Sequence, residues 1–291
     1  MKNMRRTVLS LSLAALVILI WPATALAATD PGLGTAGNFA VLSGAGMTNT
    51  GPSWITGAIG ASVAGITGFP PGTAGPQHIG DSAYTVAETD LVTAYNNSSQ
   101  TTTVDYSGVN LGGLTLGPGV YNQSTAPTLT GTLTLSGGGV YIFKIGSTLV
   151  TASGARVSLI NGAQPCDIFW QVGSSATIAT STTFVGNIMA TASIQMQTGA
   201  TLNGRALART AAVTLDTNRI IQPSGCPGGF TASYPVPGYV PPPAGNILPA
   251  TLGVPSDLLR EIPWLLLIGV GGGIGAVALG VSSARRRRRS T

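Results

Sequence analysis

The sequence predicts a mainly β protein built as a β-solenoid. Residues 168–221 fall into rows of 18, in which Phe184, Leu202 and Ile220 occupy the same place and are expected to point into the core. A repeat of this length is too short for a pair of helices and fits one turn of a solenoid. Within the rows, apolar residues alternate with Thr, Ser and Gln, as in strands with one buried side. A triangular coil, with three sides of about six residues each, accommodates a short strand and a corner on every side.

One helix is predicted between two β-rich segments. Asp81 or Ser82 can cap its start, because a short polar side chain accepts hydrogen bonds from the first free backbone N–H groups. Apolar residues then recur at helical spacing, at Ala83, Val86, Ala87, Leu91, Ala94 and Tyr95. This pattern predicts a helix from Ser82 to Thr101 that packs its apolar stripe on the flank of the solenoid.

The segments on either side of this helix predict further coils. Residues 34–68 alternate strand-like pieces with glycine-containing turns, which suit the corners of a solenoid. Residues 69–80 carry three prolines and predict an irregular loop or cap. From residue 112 onward the alternation returns, and in residues 132–136 Thr and Ser alternate with Leu. One side of these strands is therefore apolar and the other is rich in hydroxyl groups.

Both ends of the chain carry hydrophobic segments that predict export and anchoring. A basic start, an apolar core and a small-x-small site ending at Ala27 predict a signal peptide over residues 1–27, the alternative being an uncleaved anchor. Residues 262–281 form an uncharged apolar run, close to the ~20 residues of a spanning helix. Five arginines follow it, which predicts a transmembrane helix with the tail, 282–291, in the cytoplasm and the solenoid domain, 30–226, outside.

The segment between these parts, 227–261, is rich in proline and predicts an extended linker. It contains Leu248, Pro249 and Thr251, which resemble the sorting signal of Gram-positive surface proteins, Leu-Pro-x-Thr-Gly. Leu252 stands where that signal has glycine, so the motif is degenerate. The expected partners are the membrane and, if a sortase cleaves after Thr251, the cell wall. The expected location is the extracellular face of the cell membrane or the cell wall.

The two cysteines, Cys166 and Cys226, are expected to form a disulfide in this oxidising setting. Two cysteines alone cannot build a structural metal site, and no metal or cofactor is expected. Acidic residues are scattered along the chain, and the single histidine, His78, lies in the proline-rich segment. The sequence therefore contains no candidate catalytic set and predicts a protein that is not an enzyme.

The charge distribution argues against nucleic acid as a partner. Only 8% of the residues are charged, and the formal net charge of +5 comes mostly from the two ends. Between Asp30 and Pro255 there are five basic and seven acidic residues, a net charge of −2. A nucleic-acid interface needs a concentrated basic surface, which this part of the chain lacks.

Threonine with small neighbours recurs in tetrads at residues 151–154, 180–183, 198–201 and 215–218, and the last tetrad has Leu215 in place of the first threonine. The last three tetrads precede the repeated residues Phe184, Leu202 and Ile220. The candidate contact residues in these tetrads are Thr151, Ala152, Ser153, Thr180, Thr182, Thr183, Thr198, Gly199, Thr201, Thr217 and Asn218. Stacked coils lie about 4.8 Å apart, so such residues build a flat, uncharged grid of methyl and hydroxyl groups. A grid of this kind can hold water in an ordered, ice-like arrangement. The alternative is that threonine is simply a good solvent-facing strand residue.

Several longer segments resemble the ice-binding-like family of secreted β-solenoid proteins. They are Leu33-Gly-Thr-Ala-Gly-Asn-Phe-Ala-Val-Leu-Ser-Gly, Ile66-Thr-Gly-Phe-Pro-Pro-Gly, Leu114-Thr-Leu-Gly-Pro-Gly-Val-Tyr, Val140-Tyr-Ile-Phe-Lys-Ile-Gly-Ser-Thr-Leu, Phe169-Trp-Gln-Val-Gly-Ser-Ser-Ala-Thr and Asn203-Gly-Arg-Ala-Leu-Ala. The resemblance implies a discontinuous right-handed β-helix of triangular cross-section with one long α-helix packed alongside. It also implies an ice-binding face marked by Thr-Ala/Gly-x-Thr/Asn tetrads, of which residues 198–201 are a full match.

The expected function is therefore that of a cell-surface ice-binding protein. It would adsorb to ice as a monomer through a flat face rich in Thr, Ser and Ala, and so limit ice growth or recrystallisation or hold the cell to ice. One alternative is an adhesin or structural stalk with the same fold and no affinity for ice. A second is a β-helix that binds or cleaves polysaccharide, for which Trp54 and Trp170 are the available tryptophans outside the two terminal segments.

Overall fold

The computed structural model describes residues 27–225. The rest of the predicted signal peptide, Cys226, the linker with its sorting motif, the predicted transmembrane helix and the basic tail lie outside the described residues. The chain divides into two compact units, residues 1–234 and 235–291, and all described residues belong to the first. No helix in this described part is long and apolar enough to span a membrane.

The described part is mainly β, with one α-helix and two short 3-10 helices (Gly34–Asn38 and Pro165–Asp167). The elements in chain order are β1 (Phe39–Ser43), β2 (Met47–Thr50), β3 (Trp54–Thr56), β4 (Ala58–Ala61), β5 (Ile66–Thr67), β6 (Gln77–Ile79), α1 (Ser82–Asn97), β7 (Val104–Asp105), β8 (Thr115–Leu116), β9 (Gly119–Gln123), β10 (Thr128–Leu129), β11 (Thr132–Ser136), β12 (Tyr141–Ile145), β13 (Leu149–Thr151), β14 (Arg156–Ile160), β15 (Ile168–Val172), β16 (Ala176–Ile178), β17 (Thr183–Ala190), β18 (Ile194–Met196), β19 (Thr201–Ala208), β20 (Val213–Asp216) and β21 (Arg219–Ile221).

The strands pair in parallel and form three faces. The threonine face consists of β10, β13, β16, β18, β20, β2 and β5, in that order. The arginine face consists of β8, β11, β14, the first halves of β17 and β19, β21 and β3. The helix face consists of β7, β9, β12, β15, the second halves of β17 and β19, β1, β4 and β6. Each of the central coils therefore supplies one strand to each face, as the 18-residue rows predict.

The long strands β17 and β19 each serve two faces and bend at a glycine. Gly186 and Gly204 pair in register and have φ values of 111° and 158°. A Cβ atom at Gly204 would lie 1.9 Å from the backbone oxygen of Gly186. Only glycine permits this close approach of the two backbones at the bend.

The order of coils in the stack differs from their order in the chain. On the helix face, β1 pairs with β19, although some 165 residues separate Val41 from its partner Ala206. On the threonine face β2 likewise pairs with β20, and on the arginine face β3 pairs with β21. The first coils of the chain thus add to the end of the stack that residues 104–221 build, which is the discontinuous arrangement that the resemblance implies.

Aromatic side chains stack along the interior of the solenoid. Tyr121, Phe143 and Trp170 occupy register positions on neighbouring strands, and the rings of Phe143 and Trp170 are 4.1 Å apart at an angle of 12°. Trp170 is buried and donates from Nε1 to the backbone oxygen of Val185 at 3.0 Å. The anchors of the predicted rows pair in register and are buried, so their predicted place in the core is confirmed.

Helix α1 packs on the helix face through Ala87, Leu91 and Ala94, which are buried. Asp81 caps its start by accepting a hydrogen bond from the backbone N–H of Tyr84. The helix ends at Asn97, four residues before the predicted end at Thr101. The carbonyl oxygens of its last turn accept bonds from side chains instead, from Ser98 Oγ to Ala94 and from Gln171 Nε2 to Tyr95.

The segment 69–80 is not wholly irregular, because Gln77–Ile79 forms strand β6. This strand pairs with β4, which would otherwise be the last strand of the helix face. Before β6, Thr73 forms an isolated parallel bridge with Trp54, and Pro76 accepts a backbone hydrogen bond from Ile59. The prediction of a loop was therefore wrong for these three residues, since pairing of an open sheet edge outweighed the local proline signal.

Candidate functional site

The helix face is covered and cannot bind a large flat ligand. Its outward side chains include Leu42, Met189 and Leu207, which pair along the sheet and are buried beneath α1. The segment 204–208 forms part of this covered sheet. The threonine face and the arginine face remain as candidates.

The threonine face carries one continuous row of outward residues, with one member from each strand. Strands β2 and β20 present a further outward pair, Thr50 and Asp216, toward the corner with the arginine face. In register order the row is Thr128, Val150, Thr177, Gln195, Thr214, Thr48 and Thr67. No member is charged, and six strand spacings extend the row over roughly 29 Å. The inward neighbours of these residues, such as Ile178, Met196 and Leu215, are buried in the core. Alternation of buried apolar and exposed hydroxyl residues thus produces the regular surface.

The hydroxyl groups of this row are open to water. Thr48, Thr128 and Thr214 are exposed, and Thr177 is half-buried. Within the described residues none of these four hydroxyls makes an intramolecular hydrogen bond, whereas Thr67 Oγ1 donates to the Met47 oxygen at 3.4 Å. A second row of small residues lies two positions earlier, at Thr148, Ser175, Ser193, Ala212 and Gly46. The surface on this side of the threonine row is therefore low and uncharged.

The predicted tetrads lie at the corner between the threonine face and the arginine face. At this corner seven stacked coils each place one residue at positive φ, namely Gly131, Gly154, Ser181, Gly199, Thr217, Gly51 and Gly68, with φ between 52° and 89°. Backbone bonds join the turns, from Gly154 to Thr180, from Ser181 to Thr198 and from Gly199 to Asp216. The middle of each tetrad is thus a left-handed turn, whereas end residues such as Thr151, Thr183 and Thr201 belong to the adjoining strands.

Several predicted contact residues do line the outside of this corner. Ser153, Thr180, Thr198, Gly199 and Thr217 are exposed there. Ala152 is half-buried beside them. Thr183 and Thr201 pair in register on the arginine face, where both are half-buried. The predicted set is therefore divided between a corner and a second face.

Three predicted contact residues point into the protein, and their assignment to an exposed face was wrong. Thr151, Thr182 and Asn218 are at most 2% exposed. The hydroxyls of Thr151 and Thr182 lie 3.1 Å apart, and Thr151 accepts a bond from the backbone N–H of Ala179. Asn218 Nδ2 donates to the carbonyl oxygens of Gln197 and Ala200. These side chains satisfy backbone groups that the corner turn leaves without strand partners.

The third tetrad was also displaced by one residue. Thr180, Thr198 and Asp216 are each 18 residues apart, so Asp216 rather than Leu215 stands at the position of Thr198. Leu215 pairs with Met196 and is buried. The carboxylate of Asp216 accepts hydrogen bonds from the hydroxyls of Thr198 and Thr217, so the one charge at this corner is held against its neighbours.

The outward row of the threonine face was missed by the sequence reasoning. The signal that could have found it is a polar residue between two buried ones, as in Ala176-Thr177-Ile178, Ile194-Gln195-Met196 and Val213-Thr214-Leu215. These triplets are short, and their periodicity resembles that of any half-exposed strand. The tetrads were predicted as the contact surface because each is a longer and more distinctive sequence pattern, although their residues lie at or beside a corner.

The arginine face differs from the threonine face in charge and shape. Its first outward row is Thr132, Arg156, Thr183, Thr201, Arg219 and Trp54. Arg156 and Arg219 are exposed, and the guanidinium carbon of Arg219 lies 4.9 Å from the centre of the Trp54 ring. Long, charged side chains make this face less regular than its neighbour.

The ionisable groups of the described residues do not form a catalytic arrangement. His78 Nδ1 lies 2.7 Å from Asp81 Oδ2, at the cap of α1. Burial acts to raise the pKa of Asp81, but hydrogen bonds from the Tyr84 N–H and from His78 lower it overall. Burial lowers the pKa of Arg205 to about 10, and its guanidinium donates to Asn187 and Gly37. Among residues 27–225 no group of three or more His, Cys, Asp or Glu is placed to hold a metal ion.

A family model described as ice-binding-like matches residues 41–221, more than half of the chain. An ice-binding protein of Nostoc sp. (strain HG1) is 48% identical over 204 residues, which cover 67% of this chain and 76% of that protein. An ice-binding protein of Flavobacterium frigoris is 37% identical over 210 residues, covering 66% and 76% of the two chains.

A solved structure shows the same likeness in three dimensions. The crystal structure of an ice-binding protein from the Antarctic ascomycete Antarctomyces psychrotrophicus superimposes with a TM-score of 0.65 at 42% identity. The match covers 67% of this chain and 99% of that one.

Proposed function

The chain belongs to the ice-binding-like family, and from this premise we propose that it binds ice through the threonine face. The observation that carries the choice of face is the uncharged outward row, in which five of the seven residues are threonine. Family membership also supports a right-handed coil of triangular section. Adsorption would limit ice growth or recrystallisation.

The mechanism is the fit of a rigid face to an ordered water layer. Parallel pairing fixes the spacing of the threonines, so hydroxyl groups that accept and donate hydrogen bonds to water recur at regular intervals. Methyl groups and small neighbours fill the space between them without the strongly hydrated charges that would impose a different water order. Because many weak contacts add together, no single threonine is indispensable. The exposed corner residues Ser153, Thr180 and Thr198 form the edge of this surface.

The experiment compares the same substitution on the two open faces of neighbouring coils. Thr214→Arg places a long charged side chain in the middle of the threonine face, and Thr201→Arg places it on the arginine face. We expect Thr214→Arg to raise the concentration needed to inhibit ice recrystallisation by at least about tenfold, and Thr201→Arg to change it less than about twofold. Thermal unfolding of both proteins serves as the control, since neither threonine is in the core.

The reverse result would place the ice contact at the tetrads, as the family pattern suggests. Full activity in both variants, with normal folding, would rule out both faces. A wild-type protein without ice activity would instead support the alternative of an adhesin or stalk with this fold.

We further propose that the domain acts as a monomer at the cell surface. The sequence features that support this layout are the signal peptide 1–27, the linker 227–261, the span 262–281 and the tail 282–291. In this arrangement the solenoid faces outward, the membrane holds it in place, and ice adhesion of the cell becomes a second use of the same surface. We propose that the protein acts by binding alone, since its acidic residues are scattered along the sequence.

A further inference from the structure

We propose that the arginine face binds an anionic, carboxylate-bearing polysaccharide, independently of ice binding on the threonine face. The sheet presents two exposed arginines, Arg156 and Arg219, and one tryptophan, Trp54, that is 46% exposed. Trp170 in contrast is buried in the core. Trp54 is therefore the tryptophan of the described residues that an external partner can reach.

The two guanidinium groups are available to a partner. Within the described residues no carboxylate lies within 4.0 Å of either arginine, and neither side chain donates a hydrogen bond to protein. Asp216, the acid closest in the chain to Arg219, interacts with Thr198 and Thr217. Because an arginine fork matches the two oxygens of a carboxylate, these groups favour a carboxylate-bearing partner.

The spacing of the arginines favours an extended polymer rather than a small anion. Arg156 and Arg219 stand in the same outward row with Thr183 and Thr201 between them. Three strand spacings separate the two arginines by roughly 14 Å along the face. A single small anion cannot contact both, whereas a chain that carries carboxylates at intervals can.

The residues between and beside the arginines suit a polyhydroxylated chain. Thr183, Thr201 and Asn203 offer hydroxyl and amide groups on the same flat sheet. Trp54 orients the Arg219 guanidinium by stacking, and its exposed edge adds apolar contact. Trp54 is thus a positioning residue for Arg219 as well as part of the surface.

The test uses the full chain and polygalacturonate as the probe, with neutral dextran as the control polymer. Since the five tail arginines also attract polyanions, wild type and variants are compared in a background in which Arg285–Arg289 are replaced by Gln. We expect Arg156→Gln and Arg219→Gln each to weaken binding roughly fivefold, and both together more than tenfold, at low ionic strength. Arg→Lys substitutions should lose less, because they keep the charge. Binding should weaken with added salt.

Lys144→Gln is the matched control, because it removes one positive charge from the helix face and should leave binding unchanged. Ice recrystallisation inhibition, measured in parallel, should not change in the arginine variants, so this proposal and the ice proposal can fail separately. Equal binding of wild type and the double variant would overturn the proposal, as would equal binding of dextran and polygalacturonate.

Discussion

Thr217 and Ser181 occupy a backbone conformation that glycine adopts at the equivalent corner of the neighbouring coils. Their φ values are 52° and 57°, in the left-handed region where a Cβ atom crowds the backbone. Strain is greatest for a β-branched side chain such as that of Thr217. Two of the seven turns at this corner therefore carry a small amount of backbone strain.

Replacing Thr217 by Gly is expected to raise the free energy of unfolding by about 0.5 kcal/mol. Relief of about 1–2 kcal/mol of strain exceeds the added flexibility of the unfolded chain, about 0.5–1 kcal/mol. Gly199→Ala is the reverse test, because it adds a side chain at a left-handed position, and it should lower the free energy of unfolding by about 1 kcal/mol. A Cβ atom at Gly199 meets nothing closer than Ser181 Oγ at 3.9 Å, so its cost comes from φ rather than from a clash. Urea unfolding measures both, and a destabilised Thr217→Gly would contradict the account.

At the scale of elements, α1 carries a half-buried acid, Glu88, beside the buried apolar residues that pack on the solenoid. Burial raises the pKa of Glu88 to about 7, while the nearby Arg209 acts to lower it. Glu88 Oε1 and Arg209 Nε are buried with no hydrogen-bond partner. Arg209 also stacks on Tyr95 of the helix, 4.4 Å from the ring centre. Because burial disfavours the charged form of Glu88, we expect the stability of the contact between helix and sheet to depend on its protonation.

This dependence predicts that the protein loses stability as pH rises. The folded-state pKa of Glu88 lies above its unfolded value of 4.5, so the folded protein binds more protons between these values. Stability should therefore fall from about pH 4.5 to about pH 7 and level off above it. Burial also raises the pKa of Asp167, which acts in the same direction, so Glu88→Gln is compared with wild type to isolate Glu88. Melting temperatures across this range should decline less in the variant. Parallel curves for the two proteins would assign the slope to other groups.

The elements were largely predictable from sequence, but the sides that their residues face were not. The 18-residue period correctly placed Phe184, Leu202 and Ile220 in one buried column. It could not show that a left-handed residue interrupts the alternation at the corner and turns Thr182 inward. Helix α1 was predictable because its apolar spacing and its cap are local signals. The end of α1 was not predictable, because Gln171, which lies on a distant strand, donates a hydrogen bond to the Tyr95 carbonyl oxygen in the last turn.

At the scale of the whole molecule, the closing contacts are between distant parts of the chain. The strands β1, β2 and β3 attach to β19, β20 and β21, so the last coils of the stack join the first described residues to the final ones. No local pattern in the sequence specifies such partners. The discontinuous order of the coils was predicted only through the resemblance to a family. Non-local pairing of this kind favours slow folding, because the chain must order a long intervening segment first.

The layout proposed for the full chain predicts the covalent state of the protein recovered from cells. Export through the signal peptide exposes Cys166 and Cys226 to an oxidising environment, where a disulfide would tie the 3-10 helix before β15 to the segment just beyond β21. Cys166 already lies at a fixed point, because its carbonyl oxygen accepts a bond from Asn187. Intact-mass measurement of the membrane fraction should therefore give a chain that begins at Ala28, continues past Thr251 and is two hydrogen atoms lighter than its reduced form. Reduction should restore those hydrogens and lower the melting temperature, whereas Cys226→Ser should be insensitive to reductant.

A chain ending at Thr251 would instead show that a sortase accepts Leu252 in place of glycine, and a chain that retains residues 1–27 would show an uncleaved N-terminal anchor.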